Sequence, residues 1–399
     1  MILNSFRRAC ALETIAITQG RCYASTSRFK PSPEQAEVVR WLKTHNVVVS
    51  ARPGAGKTAT AEALAMENRE VPIAVITYSK RLKLDTEKRL KKYAKVDAYT
   101  FHGLAGQLFG HVIKDDIDLI TERYSQSIPS INKFRKYRFI VLDELQDLTD
   151  DLYWLASTFI AAIARSTGKS PGILALGDSR QAIYDFQGAD SRFLEKAETV
   201  FRPVSGDRDW KSLSLSHSFR LTQPTADFIN NACLGGEKYI LGTGGGPKPL
   251  YIRTDLWKTG ATEAIFNKLW PYIKKYKPDK CAILAPSVRM KSRRHPLKKL
   301  ANMLSYKGVP LSVSIFDDAP LDEDLTRGKL VISTYHQFKG SERDLVIVSG
   351  ADDSWFKVFG PDVPPDLCPN PIFVALTRAR KQESRYPDPT KPISDLLCS

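Results

Sequence analysis

Apolar residues in this chain fall into short unbroken runs separated by stretches with helical spacing, the pattern of an α/β protein whose parallel strands are buried on both faces. Val47-Val48-Val49, Ile73 to Ile76, Phe139-Ile140-Val141-Leu142, Ile173-Leu174-Ala175-Leu176 and Cys281-Ala282-Ile283-Leu284 are such runs. Helices are expected over 33–43, 59–66, 150–164 and 296–307. The first has a readable start: Ser32 caps it, Pro33 fits the first helical position, and Gln35 stands where a capping box needs a glutamine.

Composition narrows the classes. At 399 residues, with 42% hydrophobic and 10% aromatic content, the chain is expected to form two or three domains with packed cores, which excludes a disordered protein. The six cysteines form no C-x-x-C pair and no zinc spacing, so they read as reduced thiols. No apolar run approaches the roughly 20 residues a membrane helix needs. Lys+Arg 59 against Asp+Glu 44 leaves a charge of +15. That favours an anionic partner, although scattered surface lysines produce the same balance.

Residues 1–30 are basic, hydroxyl-rich and acid-poor, the composition of a mitochondrial transit peptide. In that reading 3–15 forms a helix with a basic face and 21–27 is a processing region. An ordinary disordered tail, with a nuclear location, is the alternative.

The chemistry sits at strand ends. After the run at Val47 comes Ala51-Arg52-Pro53-Gly54-Ala55-Gly56-Lys57-Thr58, then a helix-forming stretch, which is the context of a phosphate-binding loop. Gly54, Ala55 and Gly56 bring backbone N–H groups to a polyphosphate, Lys57 reaches the β and γ oxygens, and Thr58 can hold Mg²⁺. Ala51 stands where the usual pattern has its first glycine. The Phe139 run ends in Asp143-Glu144, one carboxylate for Mg²⁺ and one to orient and deprotonate water. Gly168-Lys169-Ser170 follows a helical segment instead of a strand and reads as a decoy.

The run at Ile173 ends in Gly177-Asp178-Ser179-Arg180-Gln181-Ala182-Ile183-Tyr184-Asp185-Phe186-Gln187-Gly188-Ala189. Here the sequence resembles the UvrD/Rep branch of superfamily 1 helicases, whose third motif has this form. The likeness runs from Gln35 to Arg380, and Thr100-Phe101-His102-Gly103-Leu104-Ala105 is closest in style to the F-box DNA helicase branch, without an F-box.

The resemblance implies two RecA-like lobes with ATP between them. The expected organisation is a tail over 1–30, a first lobe over 31–209, a second over 210–380 and an irregular segment over 381–399. Gln35 would read adenine, Phe219 stack on it, Glu342 meet the ribose, Gln181 and Arg220 approach the γ-phosphate, and Arg378 act as arginine finger. Thr77, Thr100, Phe101, His102, Tyr184, Phe186, Thr334 and His336 would touch nucleic acid. The implied activity is an ATP- and Mg²⁺-dependent helicase or translocase on single-stranded or partly duplex DNA, moving 3′ to 5′, in repair or recombination. A DNA-binding clamp without productive unwinding, or an RNA-directed motor, are the rivals. The short spacers between motifs leave little room for accessory domains, which weighs against robust duplex unwinding.

Overall fold

The structure, a computed structural model, describes residues 13–19, 29–288, 295–314, 321, 323–364 and 367–380. Strand β1 spans Glu13–Gln19 and belongs to the second of two six-stranded sheets. The first sheet is made of Asn46–Ala51 (β2), Ile73–Thr77 (β3), Val96–Thr100 (β4), Phe139–Leu142 (β5), Gly172–Gly177 (β6) and Trp210–Leu215 (β7). Its order is β4-β3-β5-β6-β2-β7, and every pairing is parallel. All residues of β3, β5 and β6 are buried, as unbroken apolar runs require. Leu104, Phe159 and Ile160 cover one face; Val38, Leu42 and Leu64 cover the other.

The helices of the first lobe pack on this sheet, and those beginning at Lys57, Lys80 and Phe101 start at or just after strand ends. They are Pro33–Leu42 (α1), Lys57–Glu67 (α2), Lys80–Leu90 (α3), Phe101–Phe109 (α4), Asp116–Tyr124 (α5) and Asp150–Thr167 (α6). The capping box at α1 is formed: Ser32 Oγ accepts from Gln35 N at 3.2 Å and Gln35 Oε1 accepts from Ser32 N at 3.0 Å. Gly168 ends α6 in a left-handed cap, so the Gly-Lys-Ser there is a helix terminus and no phosphate cradle.

In the second lobe His217–Ser218 (β8) pairs with Leu241–Gly242 (β9) across helix Gln223–Cys233 (α7). The large sheet there contains Leu250–Thr254 (β10), Cys281–Ala285 (β11), Leu311–Val313 (β12), Leu330–Thr334 (β13) and Leu345–Ser349 (β14), in the order β10-β1-β14-β11-β13-β12. Helices Ala261–Tyr276 (α8) and Pro296–Tyr306 (α9) pack on one face, and α7 with Asn370–Leu376 (α10) on the other.

Two boundaries differ from expectation. Residues 13–19 form a strand antiparallel to both β10 and β14, where the sequence suggested the end of a basic helix and a tail. Alternation explains it: Ile17 enters one core and Ala16 the opposite one, both nearly inaccessible. Residues 1–12, 20–28 and 381–399 lie outside the described residues. Trp210–Leu215 was expected to open the second lobe; it pairs with β2 and is the outer strand of the first sheet, so the lobes divide after Leu215. No described helix is long and apolar enough to cross a membrane.

Candidate nucleotide cleft and nucleic-acid face

The phosphate-loop segment turns between β2 and α2 on two left-handed glycines, Gly54 (φ 75°) and Gly56 (φ 86°). A Cβ on Gly54 would collide with Arg220 Cβ, and one on Gly56 would lie 2.8 Å from Gln35 Nε2. The loop therefore needs glycine both for its dihedrals and because the second lobe's chain lies directly against it. Ala51 is tolerated because it is still the last residue of β2, paired with Leu215, and has no positive φ.

Lys57 Nζ stands 3.1 Å from Glu144 Oε1. Burial works against the lysine's charge, but Glu144, Asp143 and Asp178 outweigh it and raise its pKa. Asp143 and Glu144 follow β5 and differ in character. Burial, then the charge of Glu144, pushes the Asp143 carboxyl up; for Glu144 the same burial penalty is overcome by Lys57 and Lys339, which hold it low. Glu144 also has φ 56°, a left-handed conformation rare outside glycine, and its Oε2 accepts from Gln146 Nε2 at 2.7 Å. A Thr58 hydroxyl and the Asp143 carboxylate line the same cleft, a hard-oxygen donor set that suits Mg²⁺, and a buried carboxylate pushed upward is one that a cation would relieve.

The second lobe completes the cleft, whose volume is about 890 Å³. Arg378, 2% exposed, donates from one terminal nitrogen to Gln181 Oε1 at 2.9 Å and to Thr377 Oγ1 at 2.9 Å. Burial, then neighbouring Arg220, draws its pKa down: two guanidiniums converge where an anion would be welcome. Arg220 is ion-paired with Glu342 and donates to Thr377 O at 3.4 Å. Phe219, half exposed, lies at the rim, with its N–H bonded to Gly54 O at 2.9 Å. Gln35 serves both expected purposes: besides the capping box, its Nε2 donates to Ala55 O at 3.3 Å and lies beside the loop. All the expected nucleotide-site residues thus line one cleft. Glu342 differs in one respect: Arg220 occupies its carboxylate, so a ribose would have to share or displace that partner.

The nucleic-acid set is only partly assembled. Tyr184 stacks on Tyr78 at 5.8 Å between centroids, and its hydroxyl donates to His336 O at 3.3 Å. Phe186, 65% exposed, meets the His336 ring edge-on at 5.4 Å. These aromatics gather at the seam of the lobes. Phe101, by contrast, is 1% exposed within the core under the first sheet, so its ring is a packing element and offers no base platform. Thr77 and Thr334 are buried at strand ends, and neither hydroxyl reaches the surface. Thr100 caps α4 by accepting from Gly103 N at 3.0 Å, and His102 bonds Asp116 at 2.9 Å.

Sequence reasoning passed over Lys339 and Asp147, although each lies within a few residues of a predicted site residue. Lys339 Nζ reaches across the seam to the Asp147 oxygens at 2.7 and 2.6 Å and to Gln181 O at 2.5 Å. Asn370 Nδ2 likewise donates to Ser179 O and Ala182 O, at 3.1 and 2.9 Å. Tyr239 carries no motif signal, and Arg52 stands within the phosphate-loop segment at a position the motif leaves open.

Fold and cleft together define a two-lobed P-loop nucleotide-binding protein. A family model described as an AAA domain matches residues 35–187, the first lobe from α1 through the segment bearing Tyr184. The chain is 32% identical over 136 residues to a component of the ATP-dependent helicase/nuclease of Acetivibrio thermocellus, covering 33% of this chain and 10% of that protein. It is 24% identical over 359 residues to "Putative ATP-dependent DNA helicase R568" of Acanthamoeba polyphaga mimivirus, covering 80% of this chain and 48% of that one. Among solved structures, the DEAD-box helicase Mss116 bound to ssRNA and UDP-BeF aligns with 76% of this chain and 60% of its own, at 14% identity and a TM-score of 0.43. By sequence the chain is thus similar to ATP-dependent helicases, over its first lobe in one case and over most of its length at low identity in the other. It spans about half the length of one curated relative and a tenth of the other.

Proposed function

We propose that this protein is an ATP-driven translocase on single-stranded DNA, with Mg²⁺ as cofactor, acting 3′ to 5′ in repair or recombination. The observation that carries the reading is one cleft lined by Lys57 and Glu144 from the first lobe and by Arg220 and Arg378 from the second. Lys57 and the loop amides hold the β- and γ-phosphates, while Thr58 and Asp143 hold Mg²⁺, which would neutralise phosphate charge. Glu144 orients the attacking water and accepts its proton. Arg378, already buried and aimed by Gln181, stabilises charge on the transferring phosphoryl group, a contribution of about 10³ to 10⁵ in rate in comparable enzymes. The phosphate bridges arginines of one lobe to the lysine of the other, so its loss lets the lobes separate.

Tyr184, Phe186, His336 and Tyr78 at the seam supply a sequence-indifferent stacking surface, each base being worth about 1–3 kcal/mol. DNA is favoured over RNA because both curated relatives carry helicase names and one is named for DNA. A mitochondrial location, with the nucleus as alternative, rests on the composition of 1–30; because 13–19 forms strand β1, it requires import without removal of that strand, and it is tested by fluorescent fusion of the full chain. The central test is steady-state ATPase at stated salt with single-stranded DNA, duplex and RNA, beside Lys57→Ala and Arg378→Ala. We expect stimulation by single-stranded DNA, no turnover in the lysine variant, and a loss in kcat more than in ATP affinity in the arginine variant. Unchanged turnover in Lys57→Ala overturns the cleft assignment.

A further inference from the structure

Tyr239 sits in the second lobe between α7 and β9, and its side chain crosses to the first. Its hydroxyl donates to Asp178 Oδ1 at 2.6 Å. The Arg52 guanidinium lies 3.6 Å from its ring centroid, and Arg52 Nε donates to Tyr239 O at 3.2 Å. On the other side the ring meets Phe373 edge-on at 6.2 Å, on the helix that ends beside Arg378. One side chain therefore touches the phosphate loop, the end of β6 and the helix that carries the proposed finger.

What Asp178 does next gives the contact its meaning. Its carboxylate is fully buried and has no ion-pair partner within salt-bridge distance among the described residues. Besides Tyr239, its donors there include Arg180 N at 3.1 Å and Gln181 Nε2 at 2.8 Å. The Gln181 amide is then caught between an acceptor-only carboxylate and a donor-only guanidinium, so its NH₂ must face Asp178 and its oxygen must face Arg378. Asp178 N also donates to Gln146 Oε1 at 3.0 Å, and Gln146 Nε2 donates to Glu144. The rotation of this carboxylate thus orients the finger through Gln181, while the backbone N–H of the same residue orients Gln146 and, through it, the proposed base. Burial, with Asp178 alongside, raises the Tyr239 pKa, which keeps the phenol a donor at any working pH.

We propose that Tyr239 is a positioning residue for ATP turnover: its hydroxyl, delivered from the second lobe, locks the Asp178 carboxylate, and through Gln181 this aims Arg378. The inference rests on the ATPase reading above. The contact exists only with the lobes together, so it ties the aim of the finger to closure.

Tyr239→Phe removes the hydroxyl but keeps the ring under Arg52 and against Phe373, and Tyr239→Leu removes both. In steady-state ATPase of the full chain with saturating single-stranded DNA, Tyr239→Phe is expected to lower kcat about ten-fold, with KM for ATP within about two-fold and a thermal midpoint lower by only a few degrees, as losing one donor to a buried carboxylate implies. In an Asp178→Ala background the same substitution should add nothing, because the acceptor it acts through is gone. Unchanged kcat in Tyr239→Phe, or a full ten-fold effect repeated in Asp178→Ala, overturns the proposal, as does a fall in thermal midpoint with kcat intact. A wild-type chain with no DNA-stimulated turnover counts instead against the ATPase reading.

Discussion

Lys339→Met removes the ammonium that joins the lobes at Asp147. The pair is deeply placed, with side chains 9% and 1% exposed, and Nζ contacts both carboxylate oxygens and Gln181 O. Burial already pushes the Asp147 carboxyl up to about 6 from an ordinary 3.8, with Lys339 the strongest influence pulling it back. Without the cation the carboxyl climbs further and takes a proton at neutral pH. Neutralising at pH 7 a group with an unfolded value of 3.8 costs at most about 1.36 × (7 − 3.8), roughly 4 kcal/mol, of which the wild type already carries about 1.36 × (6 − 3.8), roughly 3 kcal/mol, so protonation adds about 1 kcal/mol to the deficit of the variant. Breaking one side of a buried ion pair typically costs about 3–5 kcal/mol, and the remainder would come from the lost contacts of Nζ with Asp147 and Gln181 O. The sign with pH follows. A raised carboxyl favours the folded state at low pH and loses that contribution as pH rises through about 6, and the variant raises it more. The deficit of Lys339→Met against wild type should therefore be greatest above pH 7 and shrink toward pH 4, where both proteins carry the proton. Urea unfolding followed by tryptophan fluorescence at pH 5 and 7.5, on wild type, Lys339→Met, Asp147→Asn and the double variant, measures it. The double variant should cost less than the two singles summed, by about 2 kcal/mol or more. Additive effects, or a Lys339→Met deficit under about 1 kcal/mol at both pH values, would refute the reasoning.

Glu144→Gln should bind ATP within a few-fold of wild type yet turn it over at least about 100-fold more slowly, compared by nucleotide titration and ATPase; normal hydrolysis assigns the water to another group. Phe101→Ala should cost about 3–5 kcal/mol in urea unfolding, with DNA affinity of the folded protein little changed. Selective loss of DNA binding at full stability would restore its ring as a base platform. Ile17→Ala should cost about 2–5 kcal/mol, as expected of a side chain with no exposed surface; an unshifted unfolding midpoint would remove β1 from the core.

The phosphate loop, the acidic pair after β5 and the segment from Gly177 to Ala189 were legible because each is local: a buried run, a turn and chemistry within a dozen residues. The same reasoning failed at β1 and β7. A strand of seven residues among basic neighbours looks like a leader, and nothing near Trp210 says which sheet will take it. It also misplaced Phe101, since a motif names a residue type but does not tell which side of a helix faces the core. By contrast, Tyr184 and Phe186 lie at the lobe seam beside Tyr78 and His336.

From the chain alone came the buried strands, the glycine turn and the residue types able to handle a triphosphate, all governed by backbone geometry and periodicity over short spans. Only tertiary structure decided which groups meet. Lys339 finds Asp147 across 192 positions, Arg378 finds Gln181 across 197, and Tyr239 finds Asp178 across 61. Such pairings form because two sheets bring their strand ends to one seam, where desolvation makes each polar group seek its partner across the lobes. No local pattern encodes that.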